Sequence, residues 1–238
     1  MRPAFYALRG GGWRDYVTIL HLPYTAWHLS YVVVGASLAP RVAWDRLGWT
    51  LVAFFLAMGI GAHALDELAG RPLRTSIPSS VLAVFAFVSV GAACVIGAAV
   101  ALSFSLWILV PVAAGAFLVP AYNLELFGGR LHNDLSFALA WGSFPVLTGY
   151  LASAGRLDVA PVLAAGWAGA LSLAQRRLSS AARQLRREAV SVRGELELAG
   201  GRRVVLDASS LLAGPELALR LLAASVVLLA LALALARA

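Results

Sequence analysis

Between Gly59 and Ser80 the chain reads G-I-G-A-H-A-L-D-E-L-A-G-R-P-L-R-T-S-I-P-S-S, an apolar run that turns abruptly ionisable. His63, Asp66 and Glu67 stand at i, i+3 and i+4, so a helix carries them on one face. Carboxylate oxygens suit a hard divalent ion such as Mg²⁺, and an imidazole suits a softer one. Arg71 and Arg74 follow within two turns, and guanidinium forks grip phosphate oxygens in pairs. Pro78 then stops any helix before the next apolar run. Ionisable groups at the mouth of a membrane bundle are costly to desolvate, which marks them as candidates for function. The competing reading is a polar helix end resting among lipid headgroups.

Two further polar stretches interrupt the apolar sequence. The first is A-Y-N-L-E-L-F-G-G-R-L-H-N-D-L, residues 121–135, with Tyr122, Asn123, Glu125 and Arg130 around a Gly128–Gly129 turn. Asn133 or Asp134 is placed to cap the next helix, with Asp134 the preferred cap. Glu125 and Arg130 are spaced to pair across the turn. The second is the 176–216 connection, which opens R-R-L-S-S-A-A-R-Q-L-R-R-E and reads as an interfacial helix. Its remainder alternates like a short hairpin turning at Gly200–Gly201. His21 and His28 add imidazoles near the start of the first apolar run.

These groups need a scaffold, and the composition says what kind. The chain is 61% hydrophobic with only 13% charged residues, against about a quarter in a soluble domain. The mean hydropathy is +0.81. The expectation is an all-α, polytopic transmembrane helix bundle, with residues 1–238 as a single domain. About 20 apolar residues cross a bilayer. Seven stretches qualify: 17–38, 47–65, two from 77–122 divided near Ser103–Ser105, 135–154, 159–175 and 217–236. Small residues at Gly91–Gly97 and Gly166–Gly169 favour close helix packing. No apolar stretch of signal-peptide type opens the chain. The lone Cys94 excludes a disulfide framework.

All 19 basic residues are Arg, and the net charge of +7 belongs to loops facing anionic lipid, not to nucleic acid. Seven spans put fifteen arginines on one side and four (Arg41, Arg46, Arg156 and Arg237) on the other. That bias predicts an integral protein of a prokaryotic-type inner or plasma membrane, its amino terminus cytoplasmic and its carboxy terminus outside. The 63–78, 122–134 and 175–216 connections then face the cytoplasm together, around one cavity.

The order of these features resembles the UbiA superfamily of intramembrane prenyltransferases. There the second span ends in N-D-x-x-D-x-x-x-D, before an arginine-containing segment and a Pro-Ser-Gly-like start to the third. Here A-H-A-L-D-E-L-A-G is followed by R-P-L-R-T-S-I-P-S-S. The Y-N-L-E-L-F-G-G-R stretch and the glycine-containing A-W-G-S-F-P-V-L-T-G-Y are similar to the family's fourth-to-fifth connection and fifth span. The resemblance covers residues 13–175 and rests on order more than on identity. It implies binding of an isoprenoid diphosphate through Mg²⁺, with Asp66, Glu67 and His63 as metal ligands. Asp66, Glu67, Arg71 and Arg74 would take the catalytic positions. Tyr122, Asn123, Arg130, Arg183, Arg186 and Arg187 would surround the ligand.

The departures are as informative. Ala62 and His63 stand where the family has Asn-Asp, Gly70 stands for the last aspartate, and only Asp66 survives. The second aspartate motif is replaced by Arg176, Arg177, Arg183, Arg186 and Arg187. These either bind phosphate in place of a metal or anchor the protein to anionic lipid. Three functions follow: a divergent prenyltransferase, a non-catalytic isoprenoid or quinone lipid-binding protein, or a haem protein ligated by His21 and His63.

Overall fold

An apolar chain in hydrocarbon satisfies its own backbone by winding into helices, and the computed structural model is built that way. It describes residues 3–8 and 10–238. A short α1 (Trp13–Ile19) leads into α2 (Leu22–Ser37). Then come α3 (Trp44–Gly70), α4 (Ser79–Ser103), α5 (Leu106–Asn123) and α6 (Asp134–Ala154). After α7 (Val159–Arg187) the chain forms a hairpin of β1 (Gly194–Glu197) and β2 (Arg203–Leu206), followed by α8 (Ala208–Leu235). Helices α3 to α6 and α8 are long and apolar enough to cross a bilayer, so this is a helical membrane bundle.

Two of the seven expected spans differ. The 17–38 stretch breaks at His21, whose backbone is left-handed at φ 46°, leaving α2 only 16 residues. Helix α7 has the length, at 29 residues, but its second half is studded with arginine. The expected interfacial helix is in fact the uninterrupted continuation of α7 as far as Arg187. Nothing in Gln175–Arg177 caps or breaks a helix, so the span simply runs on. The break between α4 and α5 falls at Ser103–Ser105, and the hairpin turns at Gly200–Gly201, both as the sequence predicts.

Helix α6 sits at the centre. Over its apolar window 56% of residues are buried, against 17% for the peripheral α4. The position follows from its glycines. A methyl group on Gly149 would run into the backbone carbonyl of Val32 in α2, and one on Gly35 into that of Val146. On the other side Gly142 lies against Ala168 and Gly169 of α7. Small residues let helix backbones touch where no hydrophobic force separates helix from lipid. Of the pairs singled out in the sequence, Gly97 meets Val112 and Gly169 meets Ser143, whereas Gly91 and Gly166 face open space. Large apolar side chains such as Phe87, Leu102 and Leu163 cover the outside.

The end of the bundle away from the arginine-rich loops is tied by arginine as well. Nε of Arg46 donates to the Ala152 carbonyl at 2.7 Å, and its guanidinium lies 3.7 Å from the centre of the Phe104 ring. Nε of Arg237 donates to the Ser37 carbonyl. Each cation meets unpaired carbonyls at a helix C-terminus, where the helix dipole favours positive charge.

Gly149→Ala is expected to destabilise by about 2 kcal/mol or more, since the new methyl meets backbone and not a movable side chain. Gly166→Ala adds its methyl into open space and leaves stability unchanged. Thermal unfolding in detergent compares the two.

Candidate ligand-binding site

Two helices change pitch beside the arginine-rich end. Phe55–Ala62 in α3 and Ala138–Ser143 in α6 are wound as π-helix, a wide turn that frequently accompanies functional sites. The first delivers His63 and Asp66, and the second carries Trp141. Both face one polar cavity of about 120 Å³. Its wall takes Pro3–Tyr6 from the amino-terminal segment and His21, Tyr24 and His28 from α2 and its cap. Tyr122 and Asn123 come from the end of α5, and His132 from the loop that follows. Gln175, Arg176, Arg183, Arg186 and Arg187 come from α7, and Glu216 from α8. Residues from all three polar stretches therefore meet at one end of the bundle.

Much of the charge in the wall is already paired. Arg176 donates to Asp134 at 2.7 Å and to the Tyr122 hydroxyl, while Arg177 reaches the same Asp134 carboxylate from outside. Arg186 pairs with Glu216. Asp134 is thus an ion-pair partner and not the helix cap. The cap is Asn133, whose side chain accepts from the Ser136 amide. Glu125 lies 3.8 Å from His132 instead of meeting Arg130.

Asp66, Arg183 and Arg187 are the exceptions. The Asp66 carboxylate faces the cavity and has no hydrogen-bond or ion-pair partner among the described residues. Arg183 and Arg187 act on it electrostatically from across the space. Arg183 donates only to Ser180 Oγ, and Arg187 donates to the Pro3 carbonyl. The arginines Arg183, Arg186 and Arg187 therefore line the cavity, and Arg177 is the one turned outward. Deeper in, the Gln175 side-chain oxygen is buried with no hydrogen-bond partner among the described residues.

Four residues offered by the sequence lie outside the cavity wall. Glu67 is fully buried, 100° round the helix from Asp66. It accepts from the Leu73 and Thr75 amides and from Thr75 Oγ1, and so holds the loop after α3. Arg71 spans the same loop, donating to the Ile77 carbonyl at 2.6 Å and to Ser79 Oγ. Arg74 and Arg130 are exposed, and none of the four lines the cavity. The loop is tied from its other side by Asp15, which accepts from the Ser76 amide, Ser76 Oγ and the Gly11 amide. Burial works to raise the pKa of Asp15, but these hydrogen bonds outweigh it and hold the carboxyl below its usual value.

The geometry also bears on cofactors. The His21 and His63 rings stack face to face, centroids 3.9 Å apart and 11° from parallel, so no porphyrin fits between them. The Tyr6 hydroxyl and Nδ1 of His21 share a hydrogen bond at 3.0 Å, and Nδ1 of His63 faces the Gly59 carbonyl. Among the described residues no three His, Cys, Asp or Glu side chains converge as metal ligands. With Glu67 turned into the loop and Asp66 alone, the residues present do not fit the paired Mg²⁺ ions that the family resemblance implies.

A second cavity of about 90 Å³ lies between α3, α4, α5 and α6, lined almost wholly by apolar side chains such as Met58, Ala57 and Phe144. Trp141 borders it on one side and the polar cavity on the other. Pro111, Phe144 and Thr148 also line a groove of about 540 Å³ whose wall includes Arg156. By helix rise Trp141 and Gly155 stand roughly 20 Å apart. Trp141, Gln175 and the amino-terminal wall were not legible as site residues. Only the small residues beside Trp141 hint at the π turn.

What fold and site define is a helical membrane protein with a polar cavity at one end and an apolar one beside it. Comparison with protein-family models, with curated proteins and with solved structures finds no match.

Two substitutions test the loop. Glu67→Gln leaves buried donors without acceptors and is expected to cost about 2–4 kcal/mol. Asp15 has a depressed folded value, so its contribution is present above the unfolded value near pH 4 and is lost as pH falls through the folded one. Asp15→Asn should therefore be less stable than wild type at pH 7, with the gap narrowing below about pH 4. Unfolding measured across pH checks both.

Proposed function

We propose that this chain is a divergent UbiA-like membrane protein that binds an isoprenoid diphosphate. The head lies in the arginine-lined cavity, on the face that the arginine bias makes cytoplasmic, and the tail passes Trp141 into the apolar cavity. The observation that carries this reading is that Trp141 lines both a cationic space and an apolar one. An amphiphile with an anionic head and a long hydrocarbon tail is the ligand class with that division. Burying the tail removes apolar surface from water at about 25 cal/mol per Å². Arginine at the head supplies charge-assisted, paired hydrogen bonds.

Binding without turnover is the better-supported half of the proposal. Departure of a diphosphate needs its developing charge met, and of the carboxylates that the resemblance offers for holding metal only Asp66 faces the cavity. Tyr122 and Asn123 stay in the wall as ligand-facing groups. Arg71 and Glu67 hold the loop after α3, and Arg74 and Arg130 are exposed outside the cavity.

Ala57→Phe fills the apolar cavity and is expected to weaken farnesyl diphosphate binding at least tenfold, while leaving inorganic pyrophosphate binding unchanged. Calorimetry or tryptophan fluorescence in detergent measures both. Equal loss for both ligands would place the tail elsewhere.

A further inference from the structure

We infer that the cavity binds its anionic head without a divalent metal, through Arg183 and Arg187, and that Asp66 opposes the anion instead of recruiting it through an ion. This rests on the reading above and adds how the head is held. The donor count is the first observation. Mg²⁺ is usually held by one or two carboxylates together with substrate phosphates. Glu67 is closed into the loop by three hydrogen bonds, and Asp66 stands alone. The second observation is where uncommitted positive charge lies. Arg176 and Arg186 are matched by Asp134 and Glu216, but Arg183 and Arg187 have no carboxylate within ion-pair reach among the described residues.

The two free cations sit one turn apart on α7, at i and i+4, so their forks reach the same space. A diphosphate there accepts from both, and Arg187 exchanges its weak 3.3 Å bond to the Pro3 carbonyl for a charged acceptor. Asp66 then plays the reverse of its role in a metal site. Alone it adds a negative charge opposite the two arginines and weakens anion binding by Coulomb repulsion.

The sign of the Asp66 effect separates the two mechanisms. Farnesyl diphosphate and inorganic pyrophosphate are titrated into the full chain in detergent, with Mg²⁺ and with EDTA. The expected result is affinity unchanged by EDTA. Asp66→Asn should tighten binding severalfold, up to about tenfold, as a charge several ångströms from the phosphates is removed. Arg183→Gln with Arg187→Gln should weaken both ligands by about 100-fold or more. Arg177→Gln, on the outer face of the same helix, should change nothing, and matched unfolding temperatures certify that each variant folds. Binding that requires Mg²⁺ and vanishes in Asp66→Asn overturns the metal-free inference and leaves the isoprenoid diphosphate reading standing. Failure of both ligands to bind under either condition overturns that reading as well. Retention of pyrophosphate affinity in the double arginine variant moves the anion away from α7 and overturns the inference.

Discussion

The bundle depends on backbone meeting backbone between α2 and α6. Gly35 lies against the Val146 carbonyl and Gly149 against the Val32 carbonyl, a reciprocal contact that no side chain can enter. Lipid gives helices no hydrophobic reason to associate, so close packing of this kind supplies the attraction instead. It has a consequence at the polar end. Bringing α2 against α6 puts His21, Tyr24 and His28 in the same cavity wall as Trp141, while Gly142 draws in α7 with its arginines. The cavity is the space left where these helices part.

At that end the carboxylates and arginines sort by what surrounds them. Where the backbone is irregular and buried, a carboxylate serves it: Glu67 and Asp15 together accept six hydrogen bonds from Gly11 and residues 73–76. Buried groups left unsatisfied cost more than the bonds themselves contribute, which is why this loop takes two acids. Where two helices meet, acids pair with arginine, as Asp134 does with Arg176 and Glu216 with Arg186. Asp66, Arg183 and Arg187 fit neither pattern. Having no ion-pair partner among the described residues is what recommends them as ligand-facing groups.

Periodicity and length alone determined the helical membrane bundle, the breaks near Ser103–Ser105 and at Gly200–Gly201, and the gathering of three polar stretches at one end. Those features follow from local rules: a hydrocarbon layer demands a run of apolar helix, and glycine permits a turn. Residue type and spacing marked His63 and Asp66 as candidates, and the family resemblance added Tyr122 and the α7 arginines. What they could not assign is direction. His63, Asp66 and Glu67 share a helical stripe by spacing, yet Glu67 points into the loop because three donors converge on it from residues six and eight positions later. Asn133 and Asp134 are both good caps by type, and only the approach of Arg176 from α7 divides their roles. The stacking of His21 on His63 depends on the left-handed turn at His21 and on the contact of α2 with α3. Residue type and spacing act within a few turns of chain, whereas a side chain's partner across the bundle is chosen by how helices pack. That choice, made in tertiary structure, left the cavity with two unmatched arginines and one unmatched aspartate.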